Sequence, residues 1–167
     1  MIKKTFYLTF FSIIFFAFNV NSAEVNFGSA VISSSEIKSG VDPKKEKITV
    51  KKAEVKFNDG SIYNGPIKKN KISGNGKLTL NDGTVYEGKF KSNKFVKKIN
   101  KKNRTYIKLN LKKGIDVQNQ MKIPGLTKWY PADIVNGEFK LSKKGELMAS
   151  QDKKALSGAG SSGGSGC

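Results

Sequence analysis

The sequence reads FNDGSIYNGPIKKNKI at residues 57–72 and LNDGTVYEGKFKSNKF at residues 80–95, so one pattern recurs after 23 residues. Eight of the sixteen aligned positions are identical: Asn58/Asn81, Asp59/Asp82, Gly60/Gly83, Tyr63/Tyr86, Gly65/Gly88, Lys68/Lys91, Asn70/Asn93 and Lys71/Lys94. A fixed period of this length indicates one supersecondary unit that is used more than once.

The residues within the unit predict β-hairpins. Asn81-Asp82-Gly83 offers the positive backbone dihedrals that a tight turn requires. Tyr86, Gly88 and Phe90 follow at every second position, so they share one face of a strand. The missing side chain at Gly88 leaves room for a neighbouring ring to pack over the strand.

This pattern resembles the MORN repeat family over residues 57–95. Tyr86-Glu87-Gly88-Lys89-Phe90 matches the family's Tyr-x-Gly-x-Phe strand, and Gly74-Asn75-Gly76-Lys77-Leu78 matches its Gly-x-Gly-x-Leu strand. Asp59-Gly60 and Asp82-Gly83 match its polar turn. The resemblance implies a curved antiparallel sheet that serves as a binding or scaffolding surface, sometimes beside anionic lipid, without a catalytic centre of its own.

Two stretches depart from the family pattern. In Tyr63-Asn64-Gly65-Pro66-Ile67 the proline removes a backbone donor, which predicts that this strand lies at a sheet edge. In the second copy, Lys97-Lys98-Ile99 replaces the Gly-x-Gly strand, so the repeat decays there. The aromatic residues Tyr63, Tyr86 and Phe90 are either core residues or contacts for a partner.

Flanking segments extend the prediction to an all-β, antiparallel meander over residues 48–150. Strands are expected at Ile48–Phe57, around Tyr106–Leu111 and in a hairpin whose Asn136-Gly137 turn joins 133–135 to 138–142, followed by a further turn into 146–149. Residues 24–47 show no sustained period and are expected to be mostly irregular.

The two ends of the chain read as segments outside the domain. Residues 1–23 combine Lys3 and Lys4, an apolar run and small polar residues, which predicts a cleaved signal peptide; a retained anchor is the alternative. Its apolar run provides the only expected helix. Residues 151–167 end in Gly, Ser and Ala before Cys167 and predict a flexible tail that is either engineered or a natural tether.

Composition excludes several function classes. The 167 residues carry 31 Lys+Arg against 13 Asp+Glu, a formal charge of +18, with no histidine and one cysteine. Triads containing histidine, Cys/His zinc clusters and an intrachain disulfide are therefore excluded, and no metal or cofactor is expected. Asp59 and Asp82 precede turn glycines, where a short carboxylate caps its own backbone.

The candidate binding residues are basic and aromatic. The stretch Lys89–Lys113 holds eleven basic residues and no carboxylate. This suits anionic lipid or glycan, although lysines spread over a solvated surface would give the same composition. Trp129 and Tyr130 are neighbours, so in a strand only one of them can be core. The predicted contacts are Tyr63, Tyr86, Phe90, Lys94, Lys97, Lys98, Lys101, Lys102, Arg104, Trp129 and Tyr130.

These observations predict a non-catalytic exported binding or scaffold protein of a bacterial envelope-associated assembly, with an envelope protein as partner. The predicted location is the periplasm, with secretion as the alternative. Direct attachment to anionic lipid or glycan through Lys89–Lys113 is one alternative. A small carboxylate-based cell-wall hydrolase is another, for which Asp59, Asp82, Asp133 and Glu138 would be the groups to test. Nucleic acid is a poor fit to an exported protein.

Overall fold

The computed structural model describes residues 22–158, which form two antiparallel sheets and one helix. The strands are β1 (Ala23–Asn26), β2 (Ala30–Ser34), β3 (Val50–Phe57), β4 (Ile62–Lys68), β5 (Lys71–Ile72), β6 (Gly74–Thr79), β7 (Val85–Phe90), β8 (Lys94–Lys98), β9 (Asn103–Asn110), β10 (Gly114–Lys122), β11 (Trp129–Val135) and β12 (Glu138–Leu141). The helix is α1 (Lys143–Gly158). The predicted all-β antiparallel meander is confirmed.

Each sheet is built from strands that are neighbours in the chain. The first sheet has the order β1-β2-β3-β4-β6-β7, and β5 pairs with β4 beside it. The second sheet has the order β12-β11-β10-β9-β8. The two share one apolar core, in which Val55, Tyr63 and Phe90 of the first sheet join Ile107 and Leu109 of the second. The second sheet thus continues the meander that the repeats begin.

The repeated Asn-Asp-Gly turns form as the sequence predicts. Gly60 and Gly83 have φ values of +88° and +83°, which glycine adopts without steric cost. The Asp59 carboxylate accepts a hydrogen bond from Ser61 N at 2.9 Å, and the Asp82 carboxylate accepts one from Thr84 N at 2.8 Å. Both aspartates therefore have the capping role predicted for them.

A second pair of repeated turns holds the far ends of the hairpins. Asn70 and Asn93 have φ values of +59° and +66°, in the left-handed region that asparagine tolerates better than most residues. The side-chain oxygen of Asn70 accepts from Ile48 N, and that of Asn93 accepts from Ile72 N, both at 2.6 Å. Their own N–H groups donate to the carbonyls of the same two isoleucines at 3.0 and 2.8 Å. Each asparagine thus ties its turn to a segment that precedes it, the loop before β3 for Asn70 and β5 for Asn93.

Glycines make room for the aromatic core on one face of the first sheet. Gly76 pairs with Gly88 across β6 and β7, and Gly65 lies beside Gly76. A Cβ atom at Gly65 or Gly76 would collide with the Tyr63 ring, and one at Gly88 would lie 3.2 Å from Phe95. The ring predicted to cover Gly88 is therefore that of Phe95.

The predicted edge position of Pro66 is wrong. Its strand, β4, lies inside the first sheet between β3 and β6. The register between β3 and β4 shifts between Val50 and Ala53, opposite the proline. Such a bulge leaves a backbone position unpaired, so an inner strand can carry a residue without an N–H.

Three segments differ from the sequence-based expectation. Residues 24–47 are mostly irregular, as expected, but β1 and β2 form an unpredicted hairpin at their start. Strand β10 was not predicted. Residues 143–158 form a helix rather than a turn, a strand and the start of a flexible tail. Ser142 caps the start of this helix: Ser142 Oγ accepts from Gly145 N at 3.1 Å, and Ser142 O accepts from Glu146 N.

The helix is fixed to the second sheet by one polar cluster beside a small apolar contact. Ala149 and Tyr130 are buried together. Tyr130 Oη donates to Asp152 at 2.7 Å, and Lys128 Nζ donates to the same carboxylate at 2.9 Å. These bonds hold the pKa of Asp152 below its usual value, and burial raises the pKa of Tyr130 to about 12. Packing against β11 thus adds tertiary stabilisation to the helix.

Residues 1–21 of the predicted signal peptide and residues 159–167 of the predicted tail lie outside the described residues, and Ala23, the last residue of the predicted signal peptide, begins β1. Within residues 22–158, no helix is both long and apolar enough to cross a membrane.

Candidate functional site

Three of the predicted binding residues are core residues. Tyr63 and Tyr130 are fully buried and Phe90 is 1% exposed. The ring of Tyr63 packs edge-on against Phe90 at 5.0 Å, and Phe90 stacks on Phe95 at 4.7 Å. A partner cannot touch these rings in the folded protein, so their prediction as contacts is wrong and the alternative, core packing, is correct.

The remaining predicted residues are accessible but do not form a single site. Tyr86 is half-buried, with Lys97 Nζ 5.8 Å from its ring centre. Lys101 and Lys102 lie in the exposed turn between β8 and β9. Lys94, Lys98, Arg104 and Trp129 share the outer face of the second sheet, because Ile107 and Leu109 occupy its core face.

Trp129 and Tyr130 point to opposite faces, as predicted. Tyr130 is core, whereas Trp129 lies on the outer face of the second sheet with the Arg104 guanidinium 4.1 Å from its ring centre. Lys122 Nζ lies 5.9 Å from the same ring. Cations over an indole face are attracted by its quadrupole, so these two basic residues have a partner within the protein.

Arg104 is further held by a row of side-chain amides. Its Nε donates to Gln120 at 2.9 Å, Gln120 donates to Gln118 at 3.2 Å, and Gln118 donates to Asp116 at 2.8 Å. Partial burial lowers the pKa of Arg104, although a guanidinium stays charged at neutral pH. Arg104, one of the predicted contacts, is therefore engaged in the protein's own packing.

The structure instead brings lysines together in a cleft of about 910 Å³ at one end of the first sheet. We call it the lysine cleft. Its basic lining residues are Lys47, Lys68, Lys69, Lys71, Lys89 and Lys91. Ser73 and Ser92 add polar groups to the wall, and no carboxylate belongs to it. Gly74 and Phe90 complete the wall, so the cleft is concave and combines apolar surface with six basic side chains.

The repeat builds this cleft. The turns at residues 68–71 and 91–94 occupy equivalent positions in the two copies, and the structure places them side by side. Ser92 N donates to Ser73 Oγ at 3.1 Å, and Asn93 N donates to Ile72 O at 2.8 Å. Lysines that are 23 residues apart in sequence therefore line one cleft.

The cleft concentrates positive charge. Among residues 22–158, the ion pairs within 4.0 Å are Lys56–Glu54 and Lys128–Asp152, and neither involves a cleft lysine. Like charges on the walls of a concave surface reinforce one another's potential, which attracts anions. A bound anion would also relieve their mutual repulsion.

The sequence contained a signal for this site. Lys68 and Lys91 are identical between copies, and repeated residues on a short period fall on the same edge of a sheet. The equivalent pair Lys71/Lys94 is not brought together, because Lys94 lies on the second sheet. Lys89 and Lys91 lie within the predicted basic stretch, but Lys47, Lys68, Lys69 and Lys71 were missed. A run of basic residues along the chain is therefore a weaker indicator of a binding site than basic residues at equivalent positions of successive repeats.

The acidic residues form no comparable cluster. In the part of the chain that the structure describes, no group of three or more His, Cys, Asp or Glu residues is placed to hold a metal ion. Asp59 and Asp82 cap their turns, and the backbone hydrogen bond from Thr84 lowers the pKa of Asp82.

The chain matches no protein-family model and no curated protein. The likeness to MORN repeats therefore rests on the repeated residues of 57–95 and on the hairpins that they form.

Proposed function

We propose that the chain is a non-catalytic exported binding protein whose lysine cleft holds a strand of an anionic glycan. The observation that carries the proposal is the cleft itself, a concave wall with six lysines and no carboxylate. The predicted signal peptide would direct the chain to the periplasm, where anionic glycan strands of the cell envelope are within reach. In this role the MORN-like repeats serve as a scaffold within an envelope-associated assembly.

The shape of the cleft favours a strand over a flat membrane. A bilayer presents a plane, whereas this surface is indented to a volume of about 910 Å³ between two turns. Lysine ammonium groups suit carboxylate or phosphate groups spaced along a flexible polymer, because each is a mobile point charge on a long stem. Serine hydroxyls beside them can meet sugar hydroxyls.

The test compares two variants of equal charge. The cleft variant carries Lys68→Gln, Lys71→Gln and Lys91→Gln, and the control variant carries Lys98→Gln, Lys108→Gln and Lys122→Gln on the second sheet. We expect the cleft variant to bind alginate at least about tenfold more weakly, since even ~0.5 kcal/mol per lost contact reaches that factor over three contacts. We expect the control variant to bind nearly as well as the parent chain.

Further binding measurements separate glycan binding from attraction by net charge, from lipid binding and from hydrolysis. Binding should weaken at moderate salt, and uncharged dextran should not bind. Equal losses in the two variants would mean that net charge alone attracts the polymer, which contradicts the proposal. Binding to phosphatidylglycerol vesicles without binding to alginate would replace the glycan by a lipid surface. Shortening of the alginate on incubation would favour the hydrolase.

A further inference from the structure

A second cavity, of about 600 Å³, lies where the turn between β1 and β2 meets the turn between β9 and β10. We call it the asparagine cavity. Four asparagines line it, namely Asn26, Asn70, Asn93 and Asn110. Phe27 and Leu111 supply apolar wall, and Lys44 and Lys112 supply charge.

The side-chain oxygens of all four asparagines are already used. Asn26 Oδ1 accepts from Gly28 N at 2.7 Å, and Asn110 Oδ1 accepts from Lys112 N at 2.9 Å. Asn70 and Asn93 accept from backbone N–H groups of the neighbouring hairpins, as described above. Since a backbone N–H can only donate, these bonds identify the oxygen of each amide. The remaining group of each side chain is therefore NH₂, a donor.

Most of these donors lack an acceptor within the protein. Asn70 Nδ2 donates to the carbonyls of Pro43 and Glu46, at 3.3 and 3.2 Å. The Nδ2 groups of Asn26, Asn93 and Asn110 make no hydrogen bond to any residue of the described range 22–158. The cavity thus presents three amide donors in addition to two lysines.

Three backbone carbonyls around the cavity are, by contrast, occupied. Gly28 O accepts from Asn58 Nδ2 at 3.2 Å. Lys112 O accepts from Ser29 Oγ at 2.7 Å, and Leu111 O accepts from Ser29 N at 3.2 Å. The wall therefore offers amide and ammonium donors, and no carboxylate belongs to it. A ligand that satisfies this wall must bring acceptors and negative charge.

We propose that the asparagine cavity binds a small organic anion, with its carboxylate or phosphate at the amide and lysine donors and its ring against Phe27 and Leu111. A pocket with apolar walls and a few converging polar groups is the usual form of a small-molecule site. This inference is independent of the lysine cleft, because it rests on different side chains and on a different kind of ligand.

The experiment uses NMR on the full chain with four probes that share a phenyl ring and differ in the charge of its substituent. We expect benzoate or phenyl phosphate, at millimolar concentration, to shift the side-chain NH₂ signals of Asn26, Asn93 and Asn110. Neutral benzamide should bind about tenfold more weakly, because charge-assisted hydrogen bonds are the stronger ones. Cationic benzamidine should not bind.

A matched pair of variants locates the site. Asn93→Asp keeps the oxygen that accepts from Ile72 N and exchanges the free donor for a negative oxygen. Asn75→Asp makes the same charge change at an exposed position of β6 outside the cavity. We expect Asn93→Asp to lose at least about tenfold in benzoate affinity, and Asn75→Asp to lose little. Lys112→Gln provides a second test if Asn93→Asp does not fold.

Three results would overturn the proposal. One is equal binding of benzamide and benzoate. Another is equal benzoate affinity in the Asn93→Asp and Asn75→Asp variants or, if the former does not fold, unchanged affinity in Lys112→Gln. The third is the absence of any shift at the three asparagines with all four probes. Binding of phenyl phosphate without benzoate would support the proposal and assign the anion as a phosphate.

Discussion

Replacing Asn93 tests how the repeated turns stabilise the fold. Its side chain contributes an acceptor for Ile72 N at 2.6 Å, and its backbone holds a φ of +66°. Alanine removes the acceptor and disfavours the dihedral. Glycine removes the acceptor but tolerates the dihedral, and aspartate keeps the acceptor. The three variants therefore separate the two contributions.

The expected losses in the free energy of unfolding follow from the burial of Ile72 and the backbone conformation at residue 93. Ile72 is fully buried, so its unpaired N–H should cost about 1–3 kcal/mol. Alanine in the left-handed region adds about 1–2 kcal/mol. We expect Asn93→Ala to lower the free energy of unfolding by about 2–5 kcal/mol. Asn93→Gly should be more stable than Asn93→Ala by roughly 0.5–1 kcal/mol, because the relief of dihedral strain is partly offset by the greater freedom of glycine in the unfolded chain. Asn93→Asp should stay within about 1 kcal/mol of the parent chain.

Urea unfolding followed by circular dichroism measures these differences, provided that the slope of each transition is unchanged. Asn75→Ala, at an exposed position of β6, is the control for loss of an amide. Asn70→Ala should repeat the Asn93 result in the first copy, because its side chain bonds Ile48 in the same way. If Asn93→Ala is no less stable than Asn75→Ala, the reasoning about this turn is refuted.

Two other changes test the packing. Gly76→Ala should lower the free energy of unfolding by about 1–3 kcal/mol, because its Cβ would meet the Tyr63 ring. Gly158 faces open space, so Gly158→Ala should leave the free energy of unfolding nearly unchanged. Equal urea midpoints for the two variants would contradict this reasoning. Asp152→Asn should loosen α1 at neutral pH. Because the pKa of Asp152 is lowered, its carboxylate stabilises the docked helix at neutral pH, and this stabilisation is lost as the pH falls through that pKa. Hydrogen exchange of the α1 amides measures the effect. An equal response to pH in the parent chain and in Asp152→Asn would refute the prediction.

Much of the fold was predictable because its signals are local. The Asn-Asp-Gly turns, the alternation around Gly88 and the Asn136-Gly137 hairpin each depend on a few consecutive residues, and each formed as expected. Strand β10 was predictable in principle, since Ile115, Val117 and Met121 alternate with polar residues. Helix α1 was missed because its weak pattern is stabilised by docking on β11.

The candidate sites were less predictable than the fold. Strand alternation predicted that Trp129 and Tyr130 point to opposite faces of the sheet. Only the packing showed that Tyr130 is core and that Trp129 lies against Arg104. Basic residues along one stretch suggested a site at Lys89–Lys113. The lysine cleft takes only Lys89 and Lys91 from that stretch.

By itself the sequence determined the repeat, its turns, the antiparallel pairing of neighbours and the excess of positive charge, because turn chemistry and strand alternation act between residues close in the chain. Only the tertiary structure decided which turns lie side by side, which aromatic rings are buried and where donors and lysines converge. Those outcomes depend on sheet twist, register and the packing of two sheets on one core, which join residues far apart in sequence.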